Sequence, residues 1–307
     1  MKNLFSKYHK GEKLAQEKAH EQRQAEFNGQ AISNEIIDGA LSFISEQEYV
    51  VVSFTDENEN VWSTILFGTR GFIKATNKKT LTINLSEVIK QHDDPFWKYL
   101  ANKKRIGLVI IELASRRRLR VNGTITQLSE KEFSIRVNES YPNCMKYIQR
   151  RQIIHRNDSE VIHPAQAGQS LNESQIEIVS KADTFFIGTN NPKGDMDVSH
   201  RGGLPGFIEI VNEATLKVPD YQGNSMFNTF GNLMIDNRAG LVFWDFDNSL
   251  LLQITGVAVI EWNDKDINNK TNGTGRFWNF HINQWVQYKL KRHFEWELLD
   301  YSKYNPK

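Results

Sequence analysis

The sequence has few of the features that mark secreted, zinc-binding or membrane-spanning proteins. Among its 307 residues there is one cysteine, Cys144, so no disulfide can form within the chain. The eight histidines are scattered, and neither an HExxH motif nor paired CxxC motifs are present, which argues against a zinc site. No apolar run approaches the ~18 residues that a spanning helix needs. We therefore expect a cytoplasmic protein without a metal ion or a membrane partner.

The charge is also close to balance. The chain has 38 Lys and Arg against 37 Asp and Glu, a formal net charge of +1. This balance gives no general attraction to nucleic acid or to an anionic membrane surface, so neither is expected as a partner. The first 24 residues, MKNLFSKYHKGEKLAQEKAHEQRQ, lack the apolar segment of a secretory signal. We expect residues 1–30 to form a polar helical extension outside the main fold.

An internal repeat is the most informative feature of the chain. Gly68–Ile83 (GTRGFIKATNKKTLTI) matches Gly203–Val218 (GLPGFIEIVNEATLKV), with the GFI core and the T-L pair in register. Further along each copy the glycines match in pairs, Gly107 with Gly240 and Gly123 with Gly256. Two copies of one structural unit are therefore predicted.

Each copy has the same order of predicted elements. Helical periodicity over residues 33–47 and 172–182 precedes several alternating strands, then a second helix over 95–104 and 225–237, then further strands. This order predicts a mainly β chain with flanking helices, built as two tandem antiparallel barrels. A closing hairpin is expected over residues 276–290, where RFWNFHI and QWVQYKL alternate.

The predicted domains follow from the repeat. Periodicity is lost near residues 151–169, which contain IIHRNDSEVIHPAQAGQ. We expect a helical extension at 1–30, a first barrel at 31–151, a linker at 152–170 and a second barrel at 171–307.

Two segments of the second copy carry residues suited to ligand binding. SHRGGLPGF, at Ser199–Phe207, places His200 and the forked donor Arg201 before a pair of glycines that allow close approach of a ligand. PDYQGNSMFNTFGNL, at Pro219–Leu233, opens a predicted helix whose first amides would attract an anion. Taken singly, the two segments fit an ordinary hairpin turn and an ordinary helix cap. Their pairing across one hairpin favours a ligand site.

Together these segments resemble the pyridoxamine 5'-phosphate oxidase-like, FMN-binding split-barrel family. They are similar to its tandem-barrel branch, which has an SHRGGxPGF turn followed by DYxGNxMFNTxGNL. In the first copy, RRRLRVNG at Arg116–Gly123 and ESYPNCMKYIQRR at Glu139–Arg151 are similar to the amino-terminal half of that branch. The resemblance covers about residues 33–262 and implies two split β-barrels of the FMN-binding type.

The resemblance also implies a set of site residues. FMN would be the cofactor, with its phosphate near Asn224, Ser225 and Thr229. The full cofactor-binding set implied is Ser199, His200, Arg201, Gly202, Asp220, Asn224, Ser225, Met226, Asn228 and Thr229. Contributions across the seam from the first barrel are expected from Arg116, Arg118, Asn143, Lys146 and Tyr147. His200 and Arg201 are the candidate catalytic residues.

Three functions stay open on the sequence. The first is an FMN-dependent oxidoreductase acting on an unidentified small-molecule substrate or electron donor. The second is a non-catalytic flavin-binding or sensor module. The third is a haem-handling split barrel, with His155, His163 or His281 as an axial ligand. The two barrels would form a pseudo-dimer within one chain, and the sequence leaves a further homodimer open.

Two substitutions test the predicted site. If Arg201 and Asn224 line one flavin pocket, Arg201→Ala and Asn224→Ala should both lower the amount of FMN retained after desalting, because each removes a donor to the ligand. Retention is measured as flavin absorbance per chain. Wild-type retention in both variants would remove the site assignment.

Overall fold

The computed structural model describes residues 7–102, 104–159, 161 and 163–306. Its first sheet has seven antiparallel strands: β1 Tyr49–Thr55, β2 Val61–Phe67, β3 Ile73–Asn77, β4 Thr80–Asn84, β5 Arg105–Glu112, β6 Arg117–Leu128 and β7 Glu132–Pro142. Their order across the sheet is β2-β1-β5-β6-β7-β4-β3. The sheet therefore brings the last long strand, β7, back against the β3–β4 hairpin.

Short elements connect the two halves of the chain. β8 is Arg150–Asp158 and β9 is Gln166–Gly168. The predicted linker, residues 152–170, thus contains most of one strand and all of another. β9 pairs with the second sheet, and β8 pairs with the last strand of the chain in a two-stranded ribbon. The boundaries of the predicted domains stay predictions.

The second sheet repeats the first. Its seven principal strands are β10 Thr184–Asn190, β11 Met196–Gly202, β12 Glu209–Asn212, β13 Thr215–Pro219, β14 Arg238–Asp245, β15 Leu250–Glu261 and β16 Phe277–Lys289. The last strand, β17 Arg292–Asp300, lies outside this sheet and pairs with β8. The order β11-β10-β14-β15-β16-β13-β12 is that of the first sheet, strand for strand. The prediction of a mainly β chain with two tandem split barrels is confirmed.

The helices are short and lie around the barrels. They are α1 Lys10–Lys18, α2 Gln22–Gly29, α3 Leu41–Ser45, α4 Pro95–Tyr99, α5 Glu173–Lys181 and α6 Asn228–Leu233, with 3₁₀ turns at Asp38–Ala40 and Leu100–Asn102. Asp94 caps α4 by accepting a hydrogen bond from the Phe96 amide at 2.9 Å, as its place before a proline predicts. In the part of the chain that the structure describes, no helix is long and apolar enough to cross a membrane.

Two predicted elements differ from the structure. The helix expected over 33–47 is reduced to one 3₁₀ turn and α3, because the backbone of Ser33 pairs with that of Ser140, at 3.1 and 2.6 Å, instead of continuing a helix. The prediction of a closing hairpin over residues 276–290 is wrong. Those residues form the single strand β16, and its register against β15 shifts at Thr255 and Gly256, so Asn283 is accommodated in a bulge rather than a turn.

One hydrophobic core spans both barrels. Val51 and Trp62 of the first barrel belong to the same buried cluster as Phe186, Val242 and Trp244 of the second. One pair of repeated glycines, Gly107 and Gly240, lies where the two sheets approach closely. A Cβ on Gly107 would lie 2.9 Å from the Cα of Asp197 in the other barrel, and a Cβ on Gly240 would lie 2.5 Å from the carbonyl oxygen of Val61. The repeat therefore preserves a close contact between the two sheets.

The close approach predicts the effect of a single added methyl group. Gly240→Ala should lower the free energy of unfolding by about 1–3 kcal/mol, because the new Cβ meets backbone atoms of the other barrel that cannot move separately. Gly39→Ala is the matched control, since no heavy atom lies within 4 Å of a Cβ built there. Chemical denaturation of both variants compares the two. Equal stability of the Gly240 and Gly39 variants would contradict the packing described.

Candidate functional site

An open cleft lies at the seam between the barrels, and the enclosed space in it that a water-sized sphere can occupy is about 110 Å³. The first barrel contributes side chains from β6 and from the segment after β7. The second contributes β11, the loop before α6, α6 itself and the residue that precedes β16. Neither barrel alone would enclose the cleft.

Nine of the ten residues in the predicted cofactor-binding set line this cleft: Ser199, His200, Arg201, Gly202, Asp220, Asn224, Ser225, Asn228 and Thr229. The tenth, Met226, does not. Its side chain is 2% exposed and packs with Ile32 and Tyr141 in a separate apolar cluster. An apolar cluster gives this side chain better burial than a polar cleft. The backbone of Met226 is engaged nearby: its carbonyl accepts from Gln16 Nε2 at 3.0 Å, and its N–H donates to Asn224 Oδ1 at 3.1 Å.

Four of the five residues predicted from the first barrel also line the cleft: Arg118, Asn143, Lys146 and Tyr147. Arg116 does not. It precedes β6 with a left-handed φ of 56°, and its guanidinium pairs with the carboxylate of Asp300 and donates to the Ile148 carbonyl at 2.7 Å. Along β6, Arg118 and Arg120 face the cleft whereas Arg117 is exposed, as the alternation of a strand requires.

Arg120 joins the two barrels through a buried hydrogen-bond network. It donates to the carboxylate of Asp197 at 3.2 Å, to Ser199 Oγ at 2.5 Å and to Asn228 Oδ1 at 3.1 Å. It also donates to the hydroxyl of Tyr141 in its own barrel at 2.9 Å. Because these acceptors occupy most of its donors, Arg120 holds the floor of the cleft in one geometry.

Asp220 holds two further arginines at the opening of the cleft. Its carboxylate accepts from Arg201 Nη1 and from Arg276 Nε, each at 2.9 Å. Sequence reasoning missed Arg276, which stands next to β16. The antiparallel pairing of Pro219 with Phe277 brings it beside Asp220. Only the register of β13 against β16 could have revealed this neighbour, and the sequence does not state that register.

Arg118 is the cation in the cleft whose charge is least compensated. Within the described residues it forms no salt bridge, and its Nε has no hydrogen-bond partner. Burial, and the neighbouring charge of Arg120, lower the pKa of Arg118 to about 9. A guanidinium in this state is stabilised by any anion that enters the cleft.

His200 is buried with both ring nitrogens unpartnered. Its exposed fraction is 7%, and its ring lies edge-on to Phe186 with centroids 5.5 Å apart. Burial, together with Arg118 and Arg201, lowers the pKa of His200 well below its usual value. The imidazole is therefore neutral, with one donor and one acceptor available to a ligand.

Aromatic rings form one wall of the cleft. The rings of Tyr147 and Tyr221 lie 4.9 Å apart at 38°, and Phe207 lies 6.4 Å from Tyr221. The hydroxyl of Tyr147 donates to the Gln222 carbonyl at 3.0 Å, which ties the first barrel to the loop of the second. Burial, and the charge of Asp220, raise the pKa of Tyr147 to about 12. This wall offers a flat ligand a surface on which to stack.

The corresponding position at the other side of the pseudo-dimer is apolar. When the repeated glycines are matched, Arg201 and His200 correspond to Leu66 and Ile65, and Arg118 corresponds to Leu251. All three replacements are at most 2% exposed. The cations and the orphan imidazole are thus confined to one seam.

A buried polar network takes the place of Arg120 at that second position. Gln253, which matches Arg120, donates to Thr64 at 2.9 Å and to the hydroxyl of Tyr288 at 2.9 Å. Thr64 and Tyr288 both donate to the carboxylate of Asp94, the latter at 2.8 Å. Core side chains and this network fill the space that forms a cleft on the opposite side.

No family model matches the chain, and no curated protein matches it. Among solved structures, one match is a Lactobacillus delbrueckii protein named as a pyridoxamine 5'-phosphate oxidase, at 17% identity and a TM-score of 0.32, covering 38% of this chain and 94% of that chain. Another is a Clostridium acetobutylicum protein of the pyridoxinephosphate oxidase family, at 13% identity and a TM-score of 0.25, covering 38% and 81%. A third is the haem storage protein HutZ of Vibrio cholerae, at 14% identity and a TM-score of 0.28, covering 39% and 97%.

The solved structures that match are pyridoxamine 5'-phosphate oxidase-like split barrels. The three matches cover between 81% and 97% of the solved chains but at most 39% of this chain. At these identities and TM-scores the matches assign this chain no activity or ligand.

The neutral state of His200 predicts a pH dependence of stability. The unfolded histidine takes up a proton below about pH 6.5, whereas the buried imidazole does not, so the folded state loses stability as pH falls through that value. Between pH 7.5 and 5.5 this one group should lower the free energy of unfolding by about 1.4 kcal/mol. His200→Asn should remove that part of the loss, as measured by urea denaturation at both pH values.

The control for this measurement is His155→Asn, which removes an exposed histidine on β8. An identical loss of stability in wild type and His200→Asn would show that the imidazole of the folded protein also takes up a proton.

Proposed function

We propose that this chain binds FMN in the seam cleft and acts as an FMN-dependent oxidoreductase on a small-molecule substrate. The observation that carries the proposal is a set of cleft nitrogens without a hydrogen-bond partner: Nε of Arg118 and both ring nitrogens of His200, with Nε of Arg120 and of Arg201 beside them. These nitrogens are buried without a partner, an arrangement that costs free energy unless a ligand completes it. The resemblance of the surrounding motifs to FMN-binding split barrels supports the same ligand.

The charges of the cleft fit a phosphorylated ligand. Asp220 is the one carboxylate among the described residues that line it, and two arginines already neutralise that carboxylate. Arg118 and Lys146 add positive charge, and neither forms a salt bridge within the described chain. A phosphate monoester brings about −1.5 to −2 charges, which would balance this excess. Arg118 would supply the first barrel's positive charge to this ligand.

The parts of FMN fit different regions of the cleft. Asn224, Ser225 and Arg276 lie together on the loop side and would hold the phosphate. Thr229 is placed deeper, where its hydroxyl donates to Ser199 Oγ at 3.0 Å, so its expected phosphate contact is the weakest of the predicted set. The polar edge of the ring would meet donors from His200 and its neighbours on β11.

The chain would position the cofactor rather than perform the redox step with its own side chains. Bound FMN supplies electron transfer, and the protein supplies orientation and electrostatics. Neutral His200 would donate or accept one hydrogen bond at a ring nitrogen. Arg201, fixed by Asp220 at 2.9 Å, would present the rest of its guanidinium to the ligand. These roles make the two residues the candidates for catalytic contact.

The competing functions make different demands on the cleft. A haem protein needs an axial ligand, and the three histidines suggested by the sequence, His155, His163 and His281, are exposed and outside the cleft lining. His200 would have to take that role. A flavin module without catalysis would use the same cleft as the enzyme and would differ only in turnover.

The visible absorbance spectrum, measured before and after addition of FMN and desalting, tests the proposal. A flavin band that is released as FMN on denaturation supports it, and steady consumption of NADH or NADPH would then separate an enzyme from a flavin module. A Soret band would favour haem. A colourless protein that does not retain FMN would contradict a flavin site.

Arg118 provides a sharper test. Arg118→Gln should weaken FMN binding by about 10-fold to 100-fold, because a charge-assisted hydrogen bond contributes roughly 1.5–3 kcal/mol. Arg117→Gln is the matched control, since the neighbouring side chain is 54% exposed and pairs with Glu112 at 2.9 Å. Quenching of flavin fluorescence gives both dissociation constants. Equal affinities of the two variants would show that Arg118 does not face the ligand.

A further inference from the structure

The two N-terminal helices are fixed to the loop that lines the cleft. Gln16 on α1 donates to the Met226 carbonyl at 3.0 Å, and Asn28 on α2 donates to the Asn224 carbonyl at 2.7 Å. Glu12 accepts from Asn228 Nδ2 at 2.5 Å. The extension therefore belongs to the site and is not a separate appendage.

Glu21, between these helices, places its carboxylate at the edge of the cleft. Ser225 Oγ donates to Glu21 Oε2 at 2.5 Å, and Arg276 Nη1 lies 3.3 Å from Glu21 Oε1. Glu21 is the N-cap residue of α2, yet its side chain makes no capping bond to that helix. Its carboxylate is committed to the cleft residues instead.

Ser225 and Arg276 have the chemistry of an anion site. Both are buried, at 6% and 7% exposed, and each directs a donor at the same carboxylate. A hydroxyl and a guanidinium are the donors that phosphate oxygens accept from. In this structure the anion that they hold is Glu21.

We propose that Ser225 and Arg276 form a binding site for a phosphate monoester, and that Glu21 is its intramolecular occupant, displaced when the phosphate binds. The identity of the ligand rests on the proposed function, in which FMN supplies the phosphate. A phosphate dianion and the Glu21 carboxylate repel each other at hydrogen-bonding distance, so the two cannot share these donors at full charge. The side chain of Glu21 is 17% exposed, so it has an outlet to solvent.

This arrangement affects phosphorylated and unphosphorylated ligands differently. A ligand without a phosphate gains nothing from moving Glu21 and leaves the internal pair intact. A phosphorylated ligand replaces one charge-assisted contact by a stronger one. Glu21 thus lowers the affinity for the phosphate but keeps the two donors paired when it is absent.

The test compares dissociation constants of FMN and riboflavin for the wild-type chain, Glu21→Gln and Glu26→Gln. Glu26 is an exposed carboxylate on α2 and serves as the matched control. Glu21→Gln removes the competing charge, so FMN should bind on the order of 10-fold more tightly while riboflavin binds as before. Glu21→Asp, which shortens the side chain, should act in the same direction. Circular dichroism melting curves establish that the variants are folded.

Two outcomes would overturn the inference. FMN binding that is weaker in Glu21→Gln would show that Glu21 orients Arg276 for the ligand. FMN binding that is unchanged would show that the phosphate does not use these donors. In either case the proposed function stands, because FMN still binds.

Inorganic phosphate separates failure of the inference from failure of the proposed function. If wild type and variants bind no flavin, the flavin proposal is wrong, and calorimetric titration with phosphate decides the remaining question. Tighter phosphate binding by Glu21→Gln than by Glu26→Gln would support an anion site with another phosphorylated ligand. Equal or absent binding would overturn the site as well.

Discussion

Arg120 reaches from β6 of the first barrel into the second barrel, and the geometry of the cleft depends on it. A buried guanidinium is costly unless its donors are occupied, and here Asp197, Ser199 and Asn228 across the seam accept from it. Those acceptors lie on β11 and at the start of α6, the two elements that carry most of the predicted site. One residue therefore fixes the register between a strand and a helix of one barrel and a strand of the other. Arg118, two positions earlier on the same face, is thereby directed into the cleft.

The two seams of this duplicated fold differ in polarity. The strand orders of the sheets are identical, and the matched glycines Gly107 and Gly240 each let one barrel approach the other closely. At one seam the facing positions carry arginine and histidine with unpartnered nitrogens. At the other, leucine and isoleucine occupy the matched positions, and Gln253, Thr64 and Tyr288 satisfy one another around Asp94. Packing and this hydrogen-bond network stabilise the second seam, where Gln253 Oε1 is the one network atom left without a partner among the described residues, whereas the first seam keeps the uncompensated charge that a ligand site needs.

The N-terminal helices add a third layer to this site. A barrel pair would leave Ser225 and Arg276 facing solvent at the rim of the cleft, but Glu21 occupies both. The extension also contacts the carbonyls of Asn224 and Met226, so the loop between β13 and α6 is held from outside. A segment that the repeat does not contain thus contacts the side of the site where the phosphate of the proposed ligand would bind.

The sequence by itself determined the duplication, the strand-rich fold and most of the cleft. The matching GFI segments and paired glycines required two similar units, and residues such as His200 and Arg201 sit in one contiguous motif whose position on a strand end could be read directly. The tertiary structure alone decided which distant residues join them. Arg276 is brought to the site by the register of β13 against β16, and Glu21 by the packing of the N-terminal helices against the second barrel. Ser33, predicted to begin a helix, instead pairs with Ser140. The side chains of two predicted residues lie outside the cleft: Met226 is stabilised in an apolar cluster, and Arg116 by its ion pair with Asp300. Local pattern specifies what a segment can form, but contacts between segments far apart in sequence depend on register and packing, which no local pattern encodes.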